Sequence, residues 1–207
     1  KIIMAVLARG HVLLEDVPGV GKTTTALALC RLMGMDFNRI QFTPDVVPSD
    51  VTGFTMYEKQ TGKFIYRPGA VMCNMLLADE INRTSSKTQA ALLEVMEEGK
   101  VTVDNETHPV PQPFVVIATE NPTGSSGTQM LPESQLDRFM ISLSMGYPDH
   151  ENLVELLRDR QTTNPLEKAT AVITKEEVVM LQDQVQKVYM ADSILNYIAT
   201  LAEATRN

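Results

Sequence analysis

Glu15-Asp16-Val17-Pro18-Gly19-Val20-Gly21-Lys22-Thr23-Thr24 decides how this chain is read. It lies between a short apolar run, residues 11–15, and a stretch of helical character reaching Met33, with Gly34 placed as its stop. Glycines at 19 and 21 let successive backbone N–H groups turn toward one anion, and the N-terminus of the helix adds partial positive charge. Cations are disfavoured at that end of a helix, so Lys22 makes sense there only with an anion between it and the dipole. Pro18, Gly19, Val20, Gly21, Lys22, Thr23 and Thr24 then form a phosphate-binding segment. Lys22 reaches the β- and γ-phosphates of a nucleotide, and the Thr23 hydroxyl holds Mg²⁺. The pattern G-x-x-x-x-G-K-[ST] asks for glycine at position 16, where this chain has Asp16. The phosphate-facing amides come from later residues, so Asp16 is expected to point away. The bland alternative is a glycine-rich turn with a solvated lysine.

Outward from this loop, short apolar runs alternate with helical patterns. Residues 1–9 read as the tail of an amphipathic helix that opens in mid-pattern, so a natural chain is expected to begin earlier. Residues 37–43 alternate as a strand, and residues 75–78 form an apolar one ending in Asp79-Glu80. Residues 84–98 are the clearest helix: Ser85 or Ser86 caps it, Leu92, Leu93, Val95 and Met96 give its apolar face, and Gly99 stops it. Residues 114–119 and 140–144 supply two more strands. Hairpins are expected over 55–66, turning at Gln60-Thr61-Gly62-Lys63, and over 101–111, turning at Asp104-Asn105. The second is too proline-rich for a central strand. Beyond Asp149 the pattern is helical only, with Val178, Leu181, Val185 and Val188 on one face and Ile194, Leu195, Ile198 and Leu201 on another. Met33, Met96, Met180 and Met190 lie at helical apolar positions and read as core filling. The expectation is an α/β domain over 1–147, with a parallel sheet whose ligand crevice lies at the strands' carboxyl ends. A helical segment, 148–207, follows it.

Composition narrows the classes. The 207 residues are 43% apolar and 21% charged, an ordinary globular mix. Lys and Arg number 18 against 26 Asp and Glu, a formal charge of −8 split evenly about Gly146. That excess of acid argues against a histone-like polyanion binder. The longest apolar runs fall far short of the roughly 20 residues a bilayer span needs. No leader pattern opens the chain. Cys30 and Cys73 sit in apolar segments, which fits reduced thiols and a cytoplasmic location. His11, His108 and His150 have no metal-ligand spacing.

Two carboxylates and two further polar residues complete the candidate site. Asp79, at a strand's carboxyl end, can hold the metal shell, and Glu80 can polarise an attacking water. Alone, such a pair often just caps a turn. Asn121 ends the strand before it at a position parallel to Asp79, where an amide can contact the γ-phosphate or position the water; a plain Asn-Pro turn with Pro122 is the alternative. Arg138 follows a short segment and reads either as a functional cation or as a surface pair with Asp137.

Pro18-Gly19-Val20-Gly21-Lys22-Thr23, Leu77-Ala78-Asp79-Glu80-Ile81-Asn82-Arg83, Ala118-Thr119-Glu120-Asn121-Pro122 and Leu131-Pro132-Glu133-Ser134-Gln135-Leu136-Asp137-Arg138-Phe139 occur in the order and spacing of AAA+ ATPases. The match resembles the MoxR family most closely, with Lys87-Thr88-Gln89 and Gly146-Tyr147-Pro148 as further similar stretches. The resemblance implies a P-loop AAA+ core with a five-stranded parallel sheet, two β-hairpin inserts and the start of an all-helical lid. Gly19 through Thr23 match Walker A, Asp79 and Glu80 Walker B, and Asn121 sensor 1. Arg138 matches the arginine inserted into a neighbouring subunit's site. Arg83 is similar to a recurring family position, with an ion pair as its plain reading. Implied too are ATP and Mg²⁺, hydrolysis, a hexameric ring, protein clients and partners with von Willebrand factor A domains. The family's adenine-binding segment would precede Lys1. Its lid arginine lies in a Ser-Pro-Arg context that the chain stops short of at Thr205-Arg206-Asn207. Alternatives are a nucleic-acid motor and a non-hydrolysing switch. The hairpin near 99–112 sets Lys100 against Asp104 and Glu106 and has no aromatic for base stacking, which favours protein over nucleic acid.

Overall fold

A computed structural model of the chain describes residues 1–16, 19–120, 131–162, 166 and 169–205. Helix α1 (Ile2–Leu7) leads into β1 (Val12–Glu15), α2 (Lys22–Leu32) and β2 (Phe37–Gln41). A short helix α3 (Pro48–Thr52) precedes a hairpin of β3 (Gly53–Glu58) and β4 (Lys63–Pro68). Strand β5 (Met75–Asp79) runs through a 3-10 turn (Ile81–Arg83) into α4 (Ser86–Glu98) and a second hairpin of β6 (Lys100–Val103) and β7 (Glu106–Pro109). Then come β8 (Val115–Glu120), α5 (Glu133–Leu136), β9 (Ile141–Leu143), α6 (His150–Thr162), α7 (Lys175–Val185) and α8 (Asp192–Ala204).

Five strands pair in parallel in the order β2-β5-β8-β1-β9. Side chains alternate across a strand, yet β5 and β8 are buried throughout. Both faces are therefore covered, as a parallel sheet with crossover helices requires. Leu13, Leu76, Ala78, Val116 and Ala118 pack on one face against Leu92, Leu93, Val95 and Met96 of α4. Val12, Leu14, Met75, Leu77, Val115 and Ile117 pack on the other against Ala26 and Cys30 of α2, Val6 of α1 and Val178 of α7.

Local signals explain where the elements stop. The Ser85 hydroxyl accepts from Thr88 N–H at 3.3 Å and starts α4. Gly99 ends it at φ +65°, a left-handed conformation with little penalty only for glycine. Asp104 and Asn105 both adopt positive φ, 49° and 67°, as a two-residue turn with right-handed strand twist demands. The two hairpins meet through Tyr66 and His108, whose rings stack at 3.8 Å and 7°.

Two methionines depart from expectation. Met33 and Met96 are buried, but Met180 and Met190 are 61% and 45% exposed. Helix α7 seats Val178 and Gln182 on the core, and Gln182 Nε2 donates to Val6 O at 2.8 Å. Met180 lies between them in sequence and so points to the opposite side of the helix. Helix α8 has no buried residue, and Ile194, Leu195, Ile198 and Leu201 are each about half exposed. No helix among the described residues is long and apolar enough to cross a membrane.

Candidate nucleotide site

The carboxyl ends of β1, β2, β5 and β8 and the N-terminus of α2 enclose a cleft of about 360 Å³. From the loop side it is lined by Asp16, Gly19, Gly21, Lys22, Thr23 and Thr24, and from the sheet side by Arg39, Gln41, Asp79, Glu80 and Thr119. Gly19 and Gly21 both sit at φ +91° with nothing near enough to touch an added Cβ. Backbone conformation rather than crowding thus calls for glycine at both positions. The first helical bond of this turn runs from Thr25 N–H to Gly21 O at 2.9 Å, so the amides just ahead of it have no acceptor within the helix. Val20 lies between the two glycines but does not line the cleft. Pro18 and Asn121 lie outside the described residues.

Lys22 Nζ donates to the backbone oxygen of Asp16 at 2.7 Å. The Asp16 carboxylate faces the other way, as expected: it accepts from Ser144 Oγ at 2.9 Å, from Gly146 N–H at 3.4 Å and from Met145 N–H. Burial pushes the Asp16 pKa up, but these hydrogen bonds together with the Lys22 charge hold it below the ordinary carboxylate value. The residue that departs from the phosphate-loop pattern therefore ties the end of β1 to the segment after β9.

Opposite the loop, Asp79 is nearly buried, and both of its oxygens are engaged. Oδ2 accepts from Arg39 Nε at 2.7 Å, and Oδ1 from Thr119 Oγ1 at 3.2 Å. Thr119 Oγ1 in turn accepts from Glu80 N–H at 2.9 Å. Glu80 sits at φ +54°, ψ +50°, a left-handed conformation uncommon for a residue with a Cβ. Its Oε2 accepts from Gln41 Nε2 at 3.0 Å and from Arg83 Nη1 at 2.7 Å. Arg83 thus takes up the ion pair that was its plain reading.

Arg138 is not brought into this cleft. It lies beside Met96, Glu97, Ser134 and Asp137. Its partner is Glu97 rather than Asp137, with Nε and Nη2 at 3.2 and 3.0 Å from Oε2, and Nη1 donates to Ser134 O at 3.1 Å.

Arg39, Gln41 and Thr119 were not among the candidates from sequence. Strand alternation puts Arg39 and Gln41 on one face, but only the β2–β5 pairing, Gln41 against Asp79, makes that face part of the cleft. His11 was also passed over: Nδ1 accepts from Val116 N–H and Nε2 faces Met96 O, both at 3.0 Å. Glu120 ends β8 buried. Burial raises its pKa; a hydrogen bond from Leu131 N–H opposes the rise, and the Glu15 charge adds to it.

The donor atoms in the cleft are of the kind Mg²⁺ takes. Thr23 and Asp79 offer hard oxygen ligands in one cleft, and no cluster of three or more His, Cys, Asp or Glu suited to a metal exists among the described residues. A cation held here would draw its remaining ligands from phosphate and water, as Mg²⁺ does.

Comparison with known proteins places the chain. The family described as "ATPase family associated with various cellular activities (AAA)" matches residues 11–141. "Uncharacterized protein YeaC" of Bacillus subtilis is 54% identical over 99% of this chain, and "Chaperone MoxR1" of Mycobacterium tuberculosis 40% identical over all of it. The chain spans 64% and 54% of those two relatives. A crystal structure of a protein from Cytophaga hutchinsonii superposes with a TM-score of 0.90 at 40% identity, covering 99% of this chain and 62% of that one. The chain belongs to the AAA+ ATPases, in the MoxR family.

Proposed function

We propose that this chain binds ATP with Mg²⁺ in the cleft and hydrolyses it in a ring of identical subunits, using the cycle to remodel protein complexes. One observation carries the reading: the lysine and threonine of a glycine-turned helix N-terminus share a cleft with a paired Asp79 and Glu80. In this account Lys22 leaves the Asp16 oxygen for the β- and γ-phosphates. Thr23 and Asp79 hold Mg²⁺, which neutralises phosphate charge when bound. Glu80 and Asn121 orient the attacking water, and the Arg83 and Gln41 contacts fix where the Glu80 carboxylate waits. Arg138, remote from its own cleft and paired with an exposed Glu97, serves a neighbour's site. Residues 148–207 form the start of the lid.

Protein clients suit the surface better than nucleic acid does. The hairpin of β6 and β7 carries Asp104 and Glu106 at its tip, and the hairpin of β3 and β4 exposes Phe54, Met56, Tyr57 and Phe64. Apolar surface of that kind marks protein contact. Von Willebrand factor A domain partners, a hexameric ring and a cytoplasmic location belong to the same proposal.

Mixing two inactive variants tests it. Arg138→Ala keeps nucleotide affinity and loses about 10³–10⁵ in turnover, the scale of an arginine supplied in trans. Glu80→Gln binds ATP without hydrolysing it. Mixed oligomers regain phosphate release, because some interfaces join an intact Glu80 to an intact Arg138. Mixed oligomers that form yet stay inactive refute the shared site.

A further inference from the structure

Arg39 is the cation in the cleft to which the proposed mechanism gives no role. It projects from β2 on the face that carries Asp79, because the two parallel strands pair with Gln41 beside Asp79 and Arg39 beside Leu77. Its Nε lies 2.7 Å from Asp79 Oδ2, and its Nη2 donates to Gln41 Oε1 at 3.3 Å. The pair is unequal: the Arg39 side chain is 49% exposed and that of Asp79 only 10%. Asp79 therefore depends on its partner far more than Arg39 does, since an unpaired charge is costly where water is scarce. Thr119 takes the other Asp79 oxygen, so each oxygen of this carboxylate holds one protein donor.

A carboxylate oxygen that serves a metal's shell cannot keep the same guanidinium contact undiminished, because the two cations repel each other across the oxygen they share. We propose that Arg39 is the resident counter-cation of Asp79. It balances and aims that carboxylate while no metal is bound, yields Oδ2 when Mg²⁺·ATP enters, and then lends its charge to the phosphates that share the cleft. Arg39 is thereby a positioning residue acting through Asp79, and it sets how much Mg²⁺ the site requires. The guanidinium suits the task, since it keeps its charge and offers five donors in a fixed fork. This inference rests on the ATP-binding reading above.

The test needs no turnover. A fluorescent ATP analogue is titrated against wild type, Arg39→Gln and Arg39→Lys, in EDTA and across a Mg²⁺ series. Arg39→Gln is expected to bind metal-free nucleotide about tenfold more weakly, the scale of one charge-assisted bond discounted for a half-exposed donor. Its half-saturating Mg²⁺ is expected to fall about fivefold by the same scale, because the metal no longer displaces a guanidinium. Arg39→Lys restores the charge without the fork and falls between the two. If Arg39→Gln matches wild type in both quantities, or weakens binding equally with and without Mg²⁺, the counter-cation role is overturned. A wild type that binds no nucleotide under any condition overturns the ATPase reading instead, and the Arg39 role with it.

Discussion

Replacing Asp16 by asparagine removes the charge, and turns one of the two acceptor oxygens that join the phosphate loop to the segment after β9 into a donor, while leaving shape nearly unchanged. The carboxylate accepts from Ser144 Oγ at 2.9 Å and from Met145 N–H, whereas the Gly146 contact at 3.4 Å counts for little. Bonds to a charged acceptor contribute about 1.5–3 kcal/mol each when buried. Asp16 lines the cleft and part of that is screened, so about 2 kcal/mol for the whole substitution is the working figure. At roughly 2–4 °C per kcal/mol for a chain of this size, Tm falls by about 4–8 °C. The effect depends on pH in a definite sense. The Asp16 pKa is lower in the fold than in the unfolded chain, so its stabilisation is complete above the unfolded value of about 3.9. It is lost as pH falls through the folded value. Circular dichroism melts at pH 7 and urea midpoints down to about pH 2 span that window. The gap between wild type and Asp16→Asn should hold from neutral pH to about pH 5 and close in stronger acid. A variant within 1 °C of wild type at pH 7, by the roughly 2–4 °C scale above, or a gap unchanged in acid, refutes the tether.

His11→Ala should cost about 3 kcal/mol, since it leaves a cavity beside Phe114 and an unpartnered Val116 N–H in a buried layer. In wild type, burial lowers the His11 pKa despite the Met96 hydrogen bond, so stability should fall as pH drops below about 6.5. Urea midpoints between pH 8 and about pH 5 should show this slope reduced in His11→Ala, and parallel slopes would contradict it.

Much of the fold was legible because its signals are local. The runs at 75–78 and 114–118 are apolar at every position, which marks strands covered on both faces. Ser85, Gly99, Asp104 and Asn105 each sit where backbone geometry needs them. Lys22, Thr23, Asp79 and Glu80 line one cleft, whereas Arg138 stands apart with Glu97. What escaped the sequence depends on pairing between distant segments. Arg39 and Gln41 read as the polar side of an ordinary strand until β2 lies beside β5. His11 looks isolated until β1, β8 and α4 close around it. Met180 and Met190 show the converse error, since a helical apolar position is buried only where another element covers it.

Equilibrium binding of a fluorescent ATP analogue, with Mg²⁺ in excess, to wild type, Lys22→Ala and Glu80→Gln tests the central claim most directly. The account predicts that wild type and Glu80→Gln saturate with closely similar Kd. Lys22→Ala should lose about a hundredfold or more, the scale of one charge-assisted phosphate contact in an enclosed site. Binding by Lys22→Ala as tight as wild type would contradict it and return the loop to a glycine-rich turn with a solvated lysine.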